Sequence, residues 1–205
     1  MYKVLRRKII IIIENQKEYF NDTYEKWKEI SDKNASIINR TINILGISKG
    51  NSVLDVASGT GVLYTALKHM QLSNYVALDI SENMLLELKH LYPEVTTICN
   101  NFDKVVELEG KFDYIIIFNS IPHFENLDIV FLNAKKHLKV GGIFAIVHSK
   151  TRDELKEHHK RIGYNLGREA IPNNGTLYEL VRKYGFREDI VIDDDFFYFT
   201  CKKYD

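Results

Sequence analysis

Residues 52–61, Ser-Val-Leu-Asp-Val-Ala-Ser-Gly-Thr-Gly, constrain the fold more than any other stretch of the chain. Val53, Leu54 and Val56 read as an apolar strand, Asp55 stands near its end, Gly59 and Gly61 make a turn, and residues 63–69 have the composition of a helix. A strand that runs straight into a helix needs backbone angles open to glycine, and glycines let a ligand approach the main chain closely. A nucleotide-like ligand is the natural occupant of such a turn. The spacing disfavours one such ligand. A dinucleotide fingerprint reads Gly-x-Gly-x-x-Gly, and three positions after Gly61 stands Tyr64, which argues against a nicotinamide dehydrogenase.

A second apolar strand, Tyr75-Val-Ala-Leu-Asp79, also ends in an acid, and Ile80-Ser81-Glu82-Asn83-Met84-Leu85 opens a helix behind it. An acid there can accept hydrogen bonds from both hydroxyls of a ribose. Four further segments follow in order: Asn100-Asn101-Phe102-Asp103; Lys111-Phe112-Asp113 leading into a strand at 114–118; Asn119-Ser120-Ile121-Pro122-His123-Phe124; and Leu138-Lys139-Val140-Gly141-Gly142. With Asp55-x-Ala57-x-Gly59-x-Gly61 at its head, this series resembles the successive motifs of the class I S-adenosylmethionine-dependent methyltransferases of the small-molecule type. The family's first motif is written acid-x-Gly-x-Gly-x-Gly, and Ala57 replaces the first of its glycines. The resemblance covers residues 19–147 and reaches the tail by topology.

The resemblance implies S-adenosyl-L-methionine as cofactor and a set of binding residues. Asp55 with the turn Ala57, Ser58, Gly59 and Gly61 would hold the amino-acid end. Asp79 would hold the ribose, with Ile80 and Met84 beside it. Asn101 and the Phe102 backbone would flank the adenine, a part that Asp103 could take instead; a plain turn role fits both polar residues as well. Asn119 would stand where cofactor meets acceptor. Tyr19, Phe20 and Trp27 belong to a segment that in the family folds over the site as a lid, Trp27 covering the cofactor and Tyr19 joining His123 as a catalytic candidate. His123 follows the fourth strand, and an imidazole's ordinary pKa suits proton removal near neutrality; the other reading is a histidine that shapes the pocket.

Alternating strands and helices that end in two strands predict an α/β fold. The expected architecture is a Rossmann-like, seven-stranded, mostly parallel sheet with helices on both faces and a C-terminal antiparallel hairpin. The 205 residues suit one domain, with a lid segment at 1–45, a cofactor-binding core at 46–148 and substrate-side helices and the hairpin at 149–205. Phe20, Tyr24 and Trp27 form an aromatic stripe on a helix expected over 14–31, which either packs on the body or serves as the lid. Helices are also expected at 35–45, capped by Gly46, from a Ser81 cap to Pro93, and at 125–138, 152–162 and 176–184. Gly141-Gly142 should separate the helix at 125–138 from a strand at 143–148. Residues 9–13 are apolar on every face and read equally as helix or strand.

The 28 basic and 28 acidic residues give a formal net charge of zero, so no bulk attraction draws the chain to nucleic acid. Asn119-Ser120-Ile121-Pro122 also lacks the Asn/Asp-Pro-Pro-aromatic signature of nucleic-acid amino-methylating enzymes. No window approaches the roughly 18 apolar residues of a membrane span, and Cys99 and Cys201 read as buried free thiols in a reducing, cytoplasmic setting. Two further readings attach to the polar stretch from His148 through Arg152 to His158 and His159. One is an acceptor-recognition insert gripped by Arg152 and His148; the other is a metal site completed by Asp153. Asp193 to Asp195 reads as a solvated turn. The expected function is methyl transfer to a small molecule. The alternatives are a protein or RNA methyltransferase and a catalytically idle cofactor-binding module; acceptor and oligomeric state are open.

Overall fold

The first strand, β1 (Ser52–Val56), decides by its alternation where the helices pack. The computed structural model describes residues 16–27 and 30–205, and in it β1 is buried along its whole length. Successive side chains of a strand point to opposite faces. Leu54 and Val56 therefore join one apolar cluster with Ile115, Ile117, Phe144 and Ile146, whereas Val53 joins another with Ala77, Ile116, Ala145 and Val147. Both faces are covered, the situation in which parallel strands are found.

The sheet continues through β2 (Asn74–Asp79), β3 (Thr96–Cys99), β4 (Phe112–Phe118), β5 (Leu138–His148), β6 (Phe186–Asp193) and β7 (Phe197–Lys203). Its order is β3-β2-β1-β4-β5-β7-β6. β1 to β5 run parallel, and β7 is antiparallel to both β5 and β6, as the alternation and the final strand pair predict. The helices are α1 (Gln16–Thr23), α2 (Asp32–Leu45), α3 (Val62–Leu67), α4 (Glu82–Leu91), α5 (Leu127–His137), α6 (Arg152–Ile162) and α7 (Asn174–Lys183), with 3-10 turns at Tyr24–Trp27 and Ile121–His123. α2, α3 and α4 cover the Val53 face through Ile38, Leu63, Leu67 and Leu88. α5 and α7 cover the other through Val130, Phe131, Leu177 and Val181. Between β1 and β4 the strand order reverses, and a crevice opens there beyond the carboxyl ends of the strands.

Four local expectations are corrected. The helix expected over 14–31 breaks at Thr23 and passes into the 3-10 turn; Ser31 then starts α2 earlier than expected, its hydroxyl accepting from the Asn34 N–H. Residues 9–15, with the apolar run Ile9 to Ile13 and the start of that helix at Glu14, lie outside the described residues, as do 28 and 29. Gly141 and Gly142 do not separate helix from strand. β5 begins at Leu138, directly after α5, and the two glycines lie within it, near an irregularity in its pairing with β4. A Cβ on Gly142 would stand 2.9 Å from the Lys139 carbonyl and 3.0 Å from that of Phe112, so the close approach of two main chains selects glycine. Cys99 is exposed because β3 is an edge strand, while Cys201 is buried. Asp193 and Asp195 are not simply solvated. Asp193 pairs with Arg152 and Asp195 with Arg40.

Candidate functional site

The chain leaves β1 through a turn that glycine alone does not explain. Ala57 takes φ +57°, a left-handed conformation unusual for a residue with a side chain, and Gly59 and Gly61 follow at +55° and +92°. Asp79 holds this turn from the neighbouring strand. Its Oδ2 accepts the Gly59 N–H at 2.8 Å and its Oδ1 the Ser81 N–H at 2.8 Å. One carboxylate thus fixes both the turn after β1 and the start of α4. Gly61 has a packing reason of its own: a Cβ there would stand 3.1 Å from Leu88 of α4.

Beyond these strand ends lies a cavity of about 680 Å3. Of the sequence-predicted residues, Asp55, Ala57, Ser58, Gly59, Asp79, Ile80, Met84, Asn101, Phe102, Asn119, His123 and Trp27 line it. Gly61 and Tyr19 stand outside the wall: Gly61 serves the α3–α4 packing, and Tyr19 lies edge-on to Phe20, ring centroids 5.3 Å apart. Thr60, Asn100 and Ser120, which lie within the quoted motif segments without having been singled out, also line the cavity, as do Gln16, Lys17, Lys104, Glu125 and Asn126, which carried no signal in the sequence.

The loop at 100–106 is fastened from α5. Buried Asn133 donates to the Phe102 and Lys104 carbonyls and accepts from the Val106 N–H, and a ring nitrogen of His137 meets the Val106 carbonyl at 3.0 Å. Asp103 accepts from the Glu125 and Asn126 N–H groups, so its carboxylate joins this loop to the segment before α5. Asn101 accepts from the Asp103 N–H and turns the chain at the cavity wall. Asn119, at φ +54°, closes the end of β4 and accepts from the Ser149 N–H through Oδ1 at 2.6 Å.

The N-terminal segment is docked over the opening. Asn21 accepts from the Ser81 hydroxyl and the Asn83 N–H, and its own carbonyl accepts from the Asn83 amide. Lys17 pairs with Glu82 at 2.7 Å, and the Thr60 hydroxyl donates to the Trp27 carbonyl at 2.8 Å. These bonds bring Phe20 between Trp27 and His123, with ring centroids 6.0 and 5.0 Å away.

Burial governs the titration of the site. It pushes Asp55 up to about 7, with the Tyr75 hydroxyl pulling down and the charge of Asp79 pushing up. It raises Asp79 as well, against the backbone hydrogen bonds that favour its carboxylate. Burial, reinforced by His159 and Arg168, holds His123 down to about 4. The expectation that His123 titrates near neutrality is therefore corrected: it is a neutral imidazole there, on a turn braced by Arg168, which donates to the Pro122 and Phe124 carbonyls.

The polar stretch after β5 is engaged internally. Arg152 donates to Asp193, to the Pro172 carbonyl and to Asn174, and its guanidinium lies 4.5 Å over the Phe197 ring. These bonds, with one from Nε to the same Pro172 carbonyl, engage four of its five guanidinium N–H groups inside the protein. His148 Nδ1 accepts from the Lys150 N–H, and burial pushes this ring down to about 3. Among the described residues no group of three or more His, Cys, Asp or Glu stands together as a metal site.

The family model of the methyltransferase domain matches residues 53–142. That stretch, a little under half of the chain, is similar to the methyltransferase domain family. Its curated relatives include the ribosomal protein L11 methyltransferase of Thermotoga petrophila, 29% identical over 122 residues that span 58% of this chain and 46% of that protein. They also include the sterol 24-C-methyltransferase of Saccharomyces cerevisiae, 26% identical over 130 residues, 59% of this chain and 34% of that one. The chain thus spans less than half the length of these two relatives. Among solved structures, phosphoethanolamine N-methyltransferase 2 of Haemonchus contortus, in complex with phosphomonomethylethanolamine and S-adenosylhomocysteine, superposes with a TM-score of 0.68. That match is 19% identical and covers 94% of this chain and 59% of that one, a likeness of fold.

The Haemonchus contortus enzyme has been solved with S-adenosylhomocysteine and with S-adenosyl-L-methionine, and one independent observation bears on whether this cavity fits such a cofactor. The Ser58 hydroxyl is buried in the cavity wall without a hydrogen-bond partner. A buried polar group without a partner is destabilising, and a polar ligand relieves it.

Proposed function

We propose that the chain binds S-adenosylmethionine in this cavity and transfers its methyl group to a small-molecule acceptor. The observation that carries the reading is the unpartnered Ser58 hydroxyl, set on the turn between Asp55 and Gly59 at the sheet's switch point. When bound, the cofactor supplies a sulfonium methyl group already electrophilic enough for direct displacement. The protein's part is then to bind, orient and exclude water.

In this reading Asp55 faces the cofactor's ammonium group and Asp79 its ribose, the latter through lone pairs left beside the bonds to Gly59 and Ser81. Asn101 and the Phe102 backbone border the adenine. Phe20 and Trp27 shut out water and offer their π-faces to positive charge. His123, neutral at physiological pH, accepts a hydrogen bond from the acceptor and orients it. Relatives named for a ribosomal protein and for sterols put both kinds of acceptor within the family. We favour the small one because the segment that carries Phe20, Lys26 and Trp27 lies over the cavity and contributes to its wall.

Calorimetric titration with S-adenosylmethionine, S-adenosylhomocysteine and reduced nicotinamide dinucleotide tests the reading. Micromolar binding of the first two and none of the third is expected. If neither adenosyl compound binds, the reading is wrong.

A further inference from the structure

Among the described residues, Tyr75 is the one side chain bonded to Asp55. Val53 of β1 pairs with Tyr75 of β2, and Asp55 pairs with Ala77, so Tyr75 is the diagonal neighbour of Asp55 on one face of the sheet. Such neighbours stand about 7–8 Å apart, within reach of an aromatic side chain. Ala77, directly opposite Asp55, projects only a methyl group and leaves the Tyr75 ring room to run along the strand. The phenol ends 2.5 Å from Asp55 Oδ2.

The phenol is itself held from behind. The Tyr64 ring of α3 lies 4.7 Å from the Tyr75 ring and 5.0 Å from that of Tyr92, and the Tyr64 hydroxyl donates to Glu94 at 2.7 Å. Lys68 lies 5.5 Å over the Tyr92 ring, on the far side from Asp55. Among the described residues no lysine or arginine pairs with Asp55; the titratable groups around it are Tyr75 and Asp79 of β2, with Tyr64, Tyr92 and Glu94 behind Tyr75.

We propose that Tyr75 is a positioning residue for cofactor binding: its hydroxyl aims Asp55 at the cavity and holds it in the ionised form that takes a ligand's ammonium group. The inference rests on the cofactor reading above. A buried carboxylate with no cation beside it is poorly solvated, and a hydrogen bond donated to its charged form is what favours ionisation. Burial already places Asp55 near neutrality, with Tyr75 as the one group that pulls it down. A cationic ligand binds the ionised form, so affinity rises with pH through the Asp55 pKa until the ligand's own amino group loses its proton, a fall that wild type and variants share.

The test is calorimetric titration of S-adenosylhomocysteine between pH 6 and pH 9 on the wild type, Tyr75→Phe and Tyr64→Phe. In Tyr75→Phe the midpoint of the affinity profile should move up by about one pH unit, which weakens binding about tenfold on the acid side of the midpoint and little at pH 9. Tyr64→Phe, which keeps its ring and loses only the bond to Glu94, should leave the midpoint in place. A Tyr75→Phe protein that binds more weakly by one factor at every pH would show a purely structural role and overturn the proposal.

A ligand-free measurement separates this inference from the cofactor reading. Asp55 has a raised folded-state pKa, so the folded protein holds the extra proton between about pH 4 and 7. Its contribution to stability is present below the unfolded value and lost as pH rises through the folded one. In Tyr75→Phe that loss should extend to higher pH, and in Asp55→Asn it should vanish. If the wild type binds no adenosyl compound yet shows this shift, the Tyr75–Asp55 coupling stands and the cofactor reading falls. If Tyr75→Phe and wild type lose stability over the same pH range, the coupling itself is refuted.

Discussion

Two polar regions of the molecule look alike in composition and differ in what their groups do. The turn after β1 and the segment that runs from His148 into α6 are both dense in hydrogen-bonding side chains. In the second, the main polar groups have partners inside the protein. Arg152 reaches Asp193, Pro172 and Asn174; Thr151 and Glu154 form a reciprocal capping box; His148 closes on Lys150. In the first, Ser58 has no partner and Asp55 has one. Polar density identifies a place where the backbone needs holding. Of the buried polar atoms without a partner among the described residues, Ser58 Oγ lies in the cavity wall, whereas Thr41 Oγ1 and His137 Nδ1 lie away from it.

The sharpest way to break this comparison is Asp79→Ala. Loss of the two backbone bonds to the glycine turn and α4, together with the ribose contact, should weaken S-adenosylhomocysteine binding by on the order of a hundredfold or more, read by calorimetry. Retained wild-type affinity would remove Asp79 from the site. Arg152→Ala should do the reverse: lower stability to urea by roughly 2–3 kcal/mol, because it strands the partly buried Asp193, and leave the affinity unchanged. An affinity loss at full stability would return Arg152 to the acceptor-binding role.

Ser58→Ala and Thr151→Ala sharpen the contrast at a smaller scale. The first should reduce ligand affinity several-fold, for a hydrogen bond of about 1 kcal/mol, without lowering the melting temperature of the free protein. The second should lower stability by about 1 kcal/mol through the lost cap and leave affinity alone. Interchanged outcomes would undo the distinction between the two regions. The smallest effect is expected of Ala57→Gly, which removes left-handed strain and adds freedom to the unfolded chain. Stability in urea should change by less than about 1 kcal/mol, with affinity kept. A large loss would mean that the Ala57 methyl packs rather than strains.

The fold was legible because its signals are local. Apolar runs ending in an acid, the glycine turn, and Ser81 and Gly46 at helix ends each act within a few residues, and the parallel direction of β1 to β5 follows from alternating strands and helices. Features that depend on register or on tertiary placement were not legible. Cys99 is exposed only because β3 is an edge strand. Tyr75 meets Asp55 only through the β1–β2 register. His123 is an ordinary loop histidine in sequence, and its low pKa arises from Phe20, His159 and Arg168 brought from distant segments. Asn133 sits within a regular apolar repeat, yet anchors the loop at 102–106.

The chain has a single tryptophan, and it stands in the cavity wall with its carbonyl bonded to Thr60. Its indole is nearly half exposed, at 45%. Excited to the red of the absorption of its twelve tyrosines, the native protein emits from this indole alone, and that emission reports on the cover. Docking of the N-terminal segment can be followed in real time by stopped-flow, with no label and no substitution.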